Sequence, residues 1–393
     1  MPTSFRVLRG VLMLVSVTAT VGAVDLPDPL EFVDGSKVTS VKAWEETRRE
    51  EVLDLFREHV YGRNPAERPA DLRFEPLEDE TPVFEGTAVR RRVRIAYAGT
   101  RGESGFTLTV YYPAKGAIKG CFLMIVNRSP RIITQAEVTP VEFWPVRDLI
   151  ERGYAAAAFY NGEVAPDRKD DAFTSGVFGV FDSEEKPRAG DAWGVIGAWA
   201  WGASRALDYL QEQPRLKGVP LAVAGHSRGG KAALWCGAQD KRVALVVSND
   251  SGTTGAALAR VSTGESIRKI NTTFPHWFAA NYHAYNDREA ELPVDQHALI
   301  GLIAPRLAYV ASAADDATAC PRAEFQSCVG AGPVYALYGL KGVGATEFPE
   351  AGKTLHDGAI GYHLRAGEHD LRREDWARFM DFADARFPEM RKK

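Results

Sequence analysis

A glycine–serine motif stands where an apolar run gives way to a helix-like segment. The motif, Gly225-His226-Ser227-Arg228-Gly229, fits the pattern G-x-S-x-G. The run before it, Pro220 to Ala224, is typical of a buried strand, and Gly230 to Ala238 after it is typical of a helix. A strand that turns sharply into a helix leaves no room for side chains two positions either side of the serine, so glycine is needed there. The motif therefore predicts a tight turn that exposes Ser227 at a helix N-terminus.

The chain also alternates between strand-like and helix-like segments. Segments typical of strands lie at Thr87 to Ala96, Gly105 to Tyr112, Gly120 to Val126, Tyr154 to Phe159, Pro220 to Ala224, Val243 to Ser248, Leu307 to Ala311 and Ile360 to Arg365. Segments typical of helices lie at Glu45 to Tyr61, Val146 to Arg152, Trp193 to Gln211, Gly230 to Ala238 and Arg373 to Ala385. The first two strands alternate as antiparallel strands do, and the later units imply a mainly parallel sheet with helices on both faces. Together with the serine motif, this order predicts the α/β class and an α/β-hydrolase fold, a three-layer αβα sandwich.

The N-terminal residues 1–23 have the features of a signal peptide. Arg6 and Arg9 precede the apolar run Val11 to Val15, and small residues follow at the end of the segment. The alternative is an uncleaved membrane anchor, but the run is shorter than the roughly 20 apolar residues that a spanning helix needs. We expect the signal peptide to be cleaved, so that the mature protein is secreted or periplasmic and is not anchored in a membrane. We expect residues 24–393 to form a single domain with an N-terminal helical extension.

The charge of the chain argues against a nucleic-acid partner. It has 48 Lys and Arg against 52 Asp and Glu, a formal charge of −4, and no clustered run of cations. Binding to phosphates needs several cations close together. The proportions of hydrophobic residues, 45%, and charged residues, 25%, are those of an ordinary globular protein, which excludes disorder, collagen and coiled coil.

The four cysteines give no sign of a metal centre. Cys121 and Cys236 lie within apolar stretches, which is typical of buried thiols. Cys320 and Cys328 are the only pair close in sequence, and we expect them to form a disulfide in an oxidising compartment. These spacings do not suit a zinc site. We expect neither a metal nor another cofactor.

A nucleophilic serine needs a histidine that takes its proton. In α/β-hydrolases this histidine follows the last strand of the sheet. His369, in Gly367-Glu368-His369-Asp370, follows the last predicted strand and precedes the last predicted helix. His356 and His363 are the alternatives, one in a loop and one within a strand. We therefore predict that His369 is the base.

Two acids fit the role of orienting that histidine. Asp250 lies at the end of the strand Val243 to Ser248, and Asp315-Asp316 follow the strand Leu307 to Ala311. Both strand ends point to the same edge of a parallel sheet. Either aspartate can instead simply cap a turn or a helix. We expect Asp250 and Asp316 to share the task, with Asp316 the stronger.

The residues resemble a known family, the bacterial glucuronoyl esterases of carbohydrate esterase family 15. That family carries G-x-S-R-x-G-K, and Gly225 to Lys231 match every fixed position. Further segments that resemble the family are Phe56 to Arg63, Ser248 to Gly252, Ile270 to Phe278 and Tyr362 to Asp370. The resemblance covers most of the chain, and generic esterases lack both the Arg and the Lys of the motif.

The resemblance implies catalytic roles for individual side chains. Ser227 matches the nucleophile, His369 the base, and Arg228 a group that stabilises the oxyanion. Asp250 matches the family's acid at the end of the strand after the serine helix. Asp316 matches the alternative acid that some bacterial members use, and this sequence has both.

The resemblance also implies a substrate. Lys231 and Glu265 match positions that hydrogen-bond the hydroxyls of a uronic acid sugar, although a lysine at this position can also simply be solvated. The substrate implied is an ester between (4-O-methyl)glucuronic acid of glucuronoxylan and an alcohol of lignin, and a monomer is expected. Two alternatives stay open: an esterase acting on acetylated or feruloylated xylan, and a catalytically silent carbohydrate-binding relative.

The chain departs from the family pattern at three places. Thr318 stands where many bacterial members have a tryptophan against the sugar ring, and Cys320 stands where an aspartate is usual. The segment Val126-Asn127-Arg128-Ser129-Pro130 differs from the loop rich in glycine and asparagine that is expected after that strand. These positions bear on fine specificity.

Overall fold

The computed structural model describes residues 25–65, 67–182 and 187–390. The predicted signal peptide, residues 1–23, lies outside the described residues. Export, and the division of the chain into a leader and one domain, therefore stay predictions. Within the described part of the chain, no helix is long and apolar enough to cross a membrane.

A mixed sheet of eleven strands forms the centre of the described residues. The strands are β1 Arg73–Pro76, β2 Thr81–Val83, β3 Ala88–Gly99, β4 Gly102–Pro113, β5 Cys121–Val126, β6 Ala155–Tyr160, β7 Leu221–His226, β8 Val243–Asn249, β9 Leu307–Ala313, β10 Thr354–Leu355 and β11 Ile360–Arg365. Their order is β1-β3-β4-β6-β5-β7-β8-β9-β11-β10, and β2 pairs with β3. From β6 to β11 in this order the strands are parallel, whereas β1 to β4 and β10 pair antiparallel. The predicted mainly parallel α/β sheet is confirmed.

Helices connect most of the strands. The α-helices are α1 Val41–Ala43, α2 Arg49–Phe56, α3 Arg131–Gln135, α4 Val146–Glu151, α5 Asn161–Val164, α6 Gly176–Phe181, α7 Val195–Glu212, α8 Arg228–Gln239, α9 Ile267–Thr273, α10 Gln296–Gly301, α11 Pro321–Gly330, α12 Gly332–Leu337 and α13 Arg373–Met390. Two π-helical turns, Trp44–Arg48 and Arg57–Tyr61, join with α1 and α2 into one helical stretch. Short 3₁₀ turns lie at Phe84–Gly86, Pro214–Leu216, Ala259–Val261, Ala280–Tyr285 and Glu289–Glu291.

The central parallel strands are buried along their whole length. Every residue of β5, β7, β9 and β11 is buried. Successive side chains of a strand point to opposite faces, so complete burial means that both faces of the sheet are covered. This is why these strands stand in the sequence as continuous apolar runs. Their carboxyl ends form the edge at which Ser227 lies.

The helical stretch from Val41 to Tyr61 packs against α8, the helix that begins just after Ser227. The Tyr61 ring stacks on Trp235 of α8, with 4.6 Å between ring centres and 17° between planes. Arg49 donates from Nη2 to the Ala238 carbonyl at 2.5 Å, close to the end of α8. A guanidinium group at this end satisfies a carbonyl that the helix leaves free and complements the helix dipole. The helix predicted over Glu45 to Tyr61 is present, and it lies on the main body of the protein.

The predicted disulfide between Cys320 and Cys328 is wrong for this structure, in which all four cysteines are buried free thiols. Cys320 is the N-cap of α11, and Cys328 lies within that helix. Eight residues along a helix correspond to roughly 12 Å, since the rise is about 1.5 Å per residue. Two cysteines can be bridged only when their Cα atoms lie within about 7 Å. The helix therefore keeps the two thiols apart.

Candidate active site

Ser227 occupies a strained turn between β7 and α8. Its backbone has φ 54° and ψ −124°, an unusual conformation for a residue other than glycine. A Cβ atom at position 225 would lie 2.1 Å from the Gly229 carbonyl oxygen, so only glycine fits there. The Ser227 N–H donates to the Asn249 carbonyl at 2.8 Å, which ties the turn to the end of β8. The strand, turn and helix predicted around the motif are all present.

His369 is held by Asp316, as the sequence predicts for one of the two acids. His369 Nδ1 donates to Asp316 Oδ2 at 2.5 Å, and Asp316 Oδ1 accepts from the Ala319 N–H at 3.0 Å. Burial raises the pKa of Asp316, but the hydrogen bonds from His369 and Ala319 outweigh it and hold that pKa below its usual value. The Asp316 side chain is 3% exposed and the His369 side chain 43% exposed. The carboxylate is thus ionised and enclosed, while the imidazole faces solvent.

Asp250 lies in the same cluster but binds other partners. Its Oδ1 accepts from the Ala313 N–H at 2.7 Å, and its Oδ2 accepts from Arg365 Nη2 at 3.3 Å and from the Asp370 N–H at 3.4 Å. Burial raises its pKa well above the usual value. Among the described residues no hydrogen bond joins Asp250 to His369. Asp250 therefore braces the loop that carries His369, and its share in orienting the imidazole stays a prediction.

Polar atoms of three side chains, Asp250, Asp316 and His369, lie within 4.8 Å of one another, close enough to hold a metal ion. They are the one such group that the described residues contain. In this structure, however, His369 Nδ1 is hydrogen-bonded to Asp316. The carboxylate orients the imidazole, and in a catalytic triad it stabilises the imidazolium that forms.

The alternative histidines are engaged elsewhere. His363 Nε2 donates to Asp375 Oδ1 at 2.7 Å within the core, and His363 and His356 both hydrogen-bond with the Tyr309 hydroxyl. His226 was not predicted to take part, yet its ring centre lies 4.5 Å from that of His369. Burial, with a further effect of His369, lowers the pKa of His226 to about 3. The His226 imidazole is therefore uncharged at neutral pH, and it packs beside His369.

Arg228 is positioned by a carboxylate and an aromatic ring. Its Nη1 donates to Asp167 Oδ2 at 2.5 Å, and its guanidinium carbon lies 4.9 Å from the centre of the Trp277 ring. Asp167 Oδ1 also accepts from His276 Nε2 at 2.9 Å and Trp277 Nε1 at 2.8 Å. Burial raises the pKa of Asp167, but these hydrogen bonds and Arg228 bring it below its usual value. No pattern in the sequence indicates Asp167, which lies in the loop after α5.

Lys231 is buried, so the alternative that it is solvated is wrong. The residue is 3% exposed, and its Nζ donates to the carbonyls of Ser251 at 2.6 Å and Thr253 at 2.5 Å. Glu265 Oε2 lies 3.9 Å from the same Nζ. Burial lowers the pKa of Lys231. The structure thus brings Lys231 and Glu265 together, as the resemblance implies.

A buried carboxyl group that the sequence does not indicate lies behind these residues. Glu324, in α11, is fully buried and accepts from Ser312 Oγ at 2.5 Å and from the Gly252 N–H at 2.9 Å. Burial raises the pKa of Glu324 to about 7. Through Gly252 and the neighbouring Ser251, Glu324 fixes the loop whose carbonyls hold Lys231.

Comparisons with known proteins agree with one another. A family model described as "Glucuronyl esterase, fungi" matches residues 100–339. A carbohydrate esterase from an unknown prokaryotic organism is 38% identical over 389 residues, which cover 91% of this chain and 89% of the relative. The structure of a glucuronoyl esterase from Solibacter usitatus has a TM-score of 0.86 at 35% identity, over 93% of this chain and 99% of that one. A structure described as a promiscuous CE15 esterase from the marine bacterial metagenome has a TM-score of 0.83 at 36% identity, over 93% and 98% of the two chains.

Proposed function

Because this chain belongs to carbohydrate esterase family 15, the glucuronoyl esterases, and has their α/β-hydrolase-like fold, we propose that it hydrolyses esters of glucuronoxylan with lignin. The bond cleaved joins the carboxyl of (4-O-methyl)glucuronic acid to a lignin alcohol. The observation that carries the proposal is the cluster at the sheet edge: Ser227 in its strained turn, with the His369–Asp316 pair and the cation Arg228 around it.

Hydrolysis proceeds through an acyl-enzyme. His369 removes the proton from Ser227 Oγ, and the oxygen attacks the ester carbon. Among the described residues no hydrogen bond joins Ser227 Oγ to His369, and catalytic hydrogen bonds often tighten only when substrate is bound. His369 then donates the proton to the leaving alcohol, and a water molecule deacylates the serine by the same route. Asp316 stays ionised throughout and stabilises the imidazolium.

The negative charge of the tetrahedral intermediate develops at the N-terminus of α8. The first N–H groups of a helix lack partners within the helix and carry its positive end. Arg228 adds a full positive charge at this place, held by Asp167 and Trp277. Donors fixed before the reaction begins stabilise the transition state more than the ground state.

The uronic acid half of the ester is assigned to Lys231 and Glu265. Lys231 uses two of its donors on the carbonyls of Ser251 and Thr253, which leaves one N–H for a sugar hydroxyl. Glu265 lies 3.9 Å away and supplies acceptor oxygens. A donor and an acceptor side by side suit a pair of adjacent hydroxyl groups.

Hydrolysis of benzyl glucuronate compared with phenyl acetate tests the proposal. We expect the glucuronate ester to have the higher kcat/KM and Ser227→Ala to lose both activities. Good turnover of the acetate with none of the glucuronate would refute the assigned acyl group.

A second candidate is an esterase with a broader range of plant cell-wall esters, including acetylated and feruloylated xylan. It is favoured by the likeness to the structure described as a promiscuous CE15 esterase. Comparable kcat/KM on glucuronoyl, acetyl and feruloyl esters would support it. A catalytically silent relative is tested with a serine-directed phosphonate, which should label wild type and leave Ser227→Ala unlabelled.

Export belongs to the same proposal, since a polymeric plant substrate lies outside the cell, and we propose a monomer as well. Expression of the full chain should yield a mature protein in the periplasm or medium that begins at about residue 24, read by mass spectrometry of the N-terminal peptide. Light scattering should give the mass of one chain.

A further inference from the structure

Arg128 lies beside the catalytic cluster with part of its side chain open. It follows β5, which pairs with β7 just before Ser227. Its Nη2 donates to Asp370 Oδ1 at 2.6 Å, and its guanidinium carbon lies 4.2 Å from the centre of the Phe143 ring. The side chain is nevertheless 41% exposed. The buried Phe143 therefore packs against the guanidinium group, while about two fifths of the Arg128 side chain remain exposed.

Arg128 is linked to His369, the proposed base, in two ways. Asp370, its ion-pair partner, is the residue after His369. Phe143 packs edge-on against His226 at 5.7 Å between ring centres, and the His226 ring lies 4.5 Å from that of His369. In the proposed reaction the leaving oxygen comes within about 3 Å of the imidazole that protonates it. The part of the alcohol beyond that oxygen can therefore extend toward Arg128, the ion-pair partner of the residue next to His369.

We propose that the exposed part of the Arg128 guanidinium stacks against an aromatic ring in the alcohol half of the ester. Arg128 would then determine specificity for aryl-substituted alcohols, as Lys231 and Glu265 do for the uronic acid. This inference rests on the proposed function, in which His369 protonates the leaving alcohol.

An aromatic group suits this position better than an anion does. The charge of Arg128 is already balanced by Asp370 at 2.6 Å. A second anion would meet the carboxylates of Asp370 and Asp316, which repel it. The face of a guanidinium plane, in contrast, attracts the π-electrons of a ring without breaking the ion pair at its edge.

The test compares benzyl and methyl esters of glucuronic acid, which share the acyl group and differ in the alcohol. The ratio of their kcat/KM values should fall about three- to tenfold in Arg128→Ala, the size of a cation–π contact at a partly exposed site. Arg128→Lys keeps a positive charge that can pair with Asp370 but lacks the planar guanidinium. Its ratio should therefore fall less than that of Arg128→Ala. Arg372→Ala is the matched control: Arg372 Nε lies 3.5 Å from Asp370, its side chain is 40% exposed, and its loss should leave the ratio unchanged.

Three results would overturn the inference. Unchanged kcat/KM values on both esters in Arg128→Ala mean that no ring stacks there. Equal losses on both esters mean that Arg128 acts only by holding Asp370 and the His369 loop. A larger loss on the 4-carboxybenzyl ester than on the benzyl ester means that Arg128 binds an anion.

Failure of the proposed function gives a different pattern. If wild type hydrolyses neither glucuronate ester but cleaves benzyl and methyl acetate, the acyl group is wrong, and the ratio on the acetates tests Arg128 in the same way. If wild type cleaves none of these esters, both the function and the inference fail.

Discussion

His369 and Asp316 come from loops after neighbouring strands, and their side chains meet at 2.5 Å. Strands β11 and β9 are parallel and in register, with Arg365 opposite Ala313. His369 therefore leaves one strand, and Asp316 the other, at the same level of the sheet. Sheet register, rather than loop flexibility, sets the separation of the base and its acid.

This pairing predicts unequal effects of the two acids. Asp316→Ala should lower kcat about 10²- to 10⁴-fold, because the imidazole loses the group that orients it and stabilises its charge. Asp250→Ala should cost less activity and more stability, since it leaves the buried Arg365 without this partner. Steady-state kinetics, urea unfolding and a double-mutant cycle measure both. A double variant no worse than the product of the single losses would rule out any sharing between the acids.

The serine and the histidine should act as a unit. Ser227→Ala and His369→Ala should each lower kcat by at least about 10³-fold, and the double variant should be little worse. The thermal unfolding midpoint of Ser227→Ala should match wild type, because one partly exposed hydroxyl is lost. If His369→Ala kept more than about a tenth of kcat, another group would be the base, since positioned proton transfer alone contributes about 10²-fold or more.

Removal of Arg228 should act on the transition state. Arg228→Ala should lower kcat about 10²- to 10³-fold with a small change in KM, because the oxyanion exists only in the transition state. Asp167→Ala keeps the Arg228 guanidinium but removes the carboxylate that positions it, so kcat should fall less than in Arg228→Ala. A rise in KM at unchanged kcat in Arg228→Ala would assign the guanidinium to substrate binding instead.

Lys231 should affect the uronic acid half of the substrate. Lys231→Met keeps the apolar stem but removes the ammonium, so KM for benzyl glucuronate should rise several-fold while hydrolysis of phenyl acetate changes little. The carbonyls of Ser251 and Thr253 lose their partner, which should lower the free energy of unfolding by about 1–3 kcal/mol. Equal losses on both esters would show that Lys231 is purely structural.

Glu324 should make stability depend on pH. Burial raises its pKa from an ordinary 4.5 to about 7, so the folded chain holds a proton that the unfolded chain releases. The stability that Glu324 contributes is present below about pH 4.5 and is lost as pH rises through 7. Relative to Glu324→Gln, the free energy of unfolding of wild type should therefore fall by about 3 kcal/mol over this range. Urea unfolding of both proteins at several pH values measures this change. A difference in the free energy of unfolding between wild type and Glu324→Gln that does not vary with pH would contradict the raised pKa.

The sequence was enough to predict the central sheet and the serine turn. Strands β5, β7 and β9 are uninterrupted apolar runs, and their burial on both faces requires that pattern. The sequence does not predict the edge strands β1 and β2, because they are short, half-exposed and contain prolines. They therefore show no clear alternation of apolar and polar residues.

The surroundings of the catalytic residues could not be predicted in the same way. Arg228 and Asp167, which form a hydrogen bond, are 61 residues apart in the sequence, and Asp167 and Trp277, which form another, are 110 residues apart. Such contacts depend on how loops close over the sheet edge, and no local pattern encodes them. The burial of Lys231 likewise depends on a loop, since two carbonyls of the loop after β8, 20 and 22 positions along the chain, accept from its Nζ.

The contact of the Val41–Tyr61 stretch with α8 bears on where this enzyme can be shortened. Helix α8 carries the chemistry at one end and is anchored at the other by Arg49 and Tyr61. A truncated version that starts at β1 would uncover Trp235 and leave the Ala238 carbonyl without its guanidinium. The smallest unit that folds as an enzyme should therefore include the Val41–Tyr61 stretch, although this stretch lies upstream of the sheet on which the catalytic groups stand.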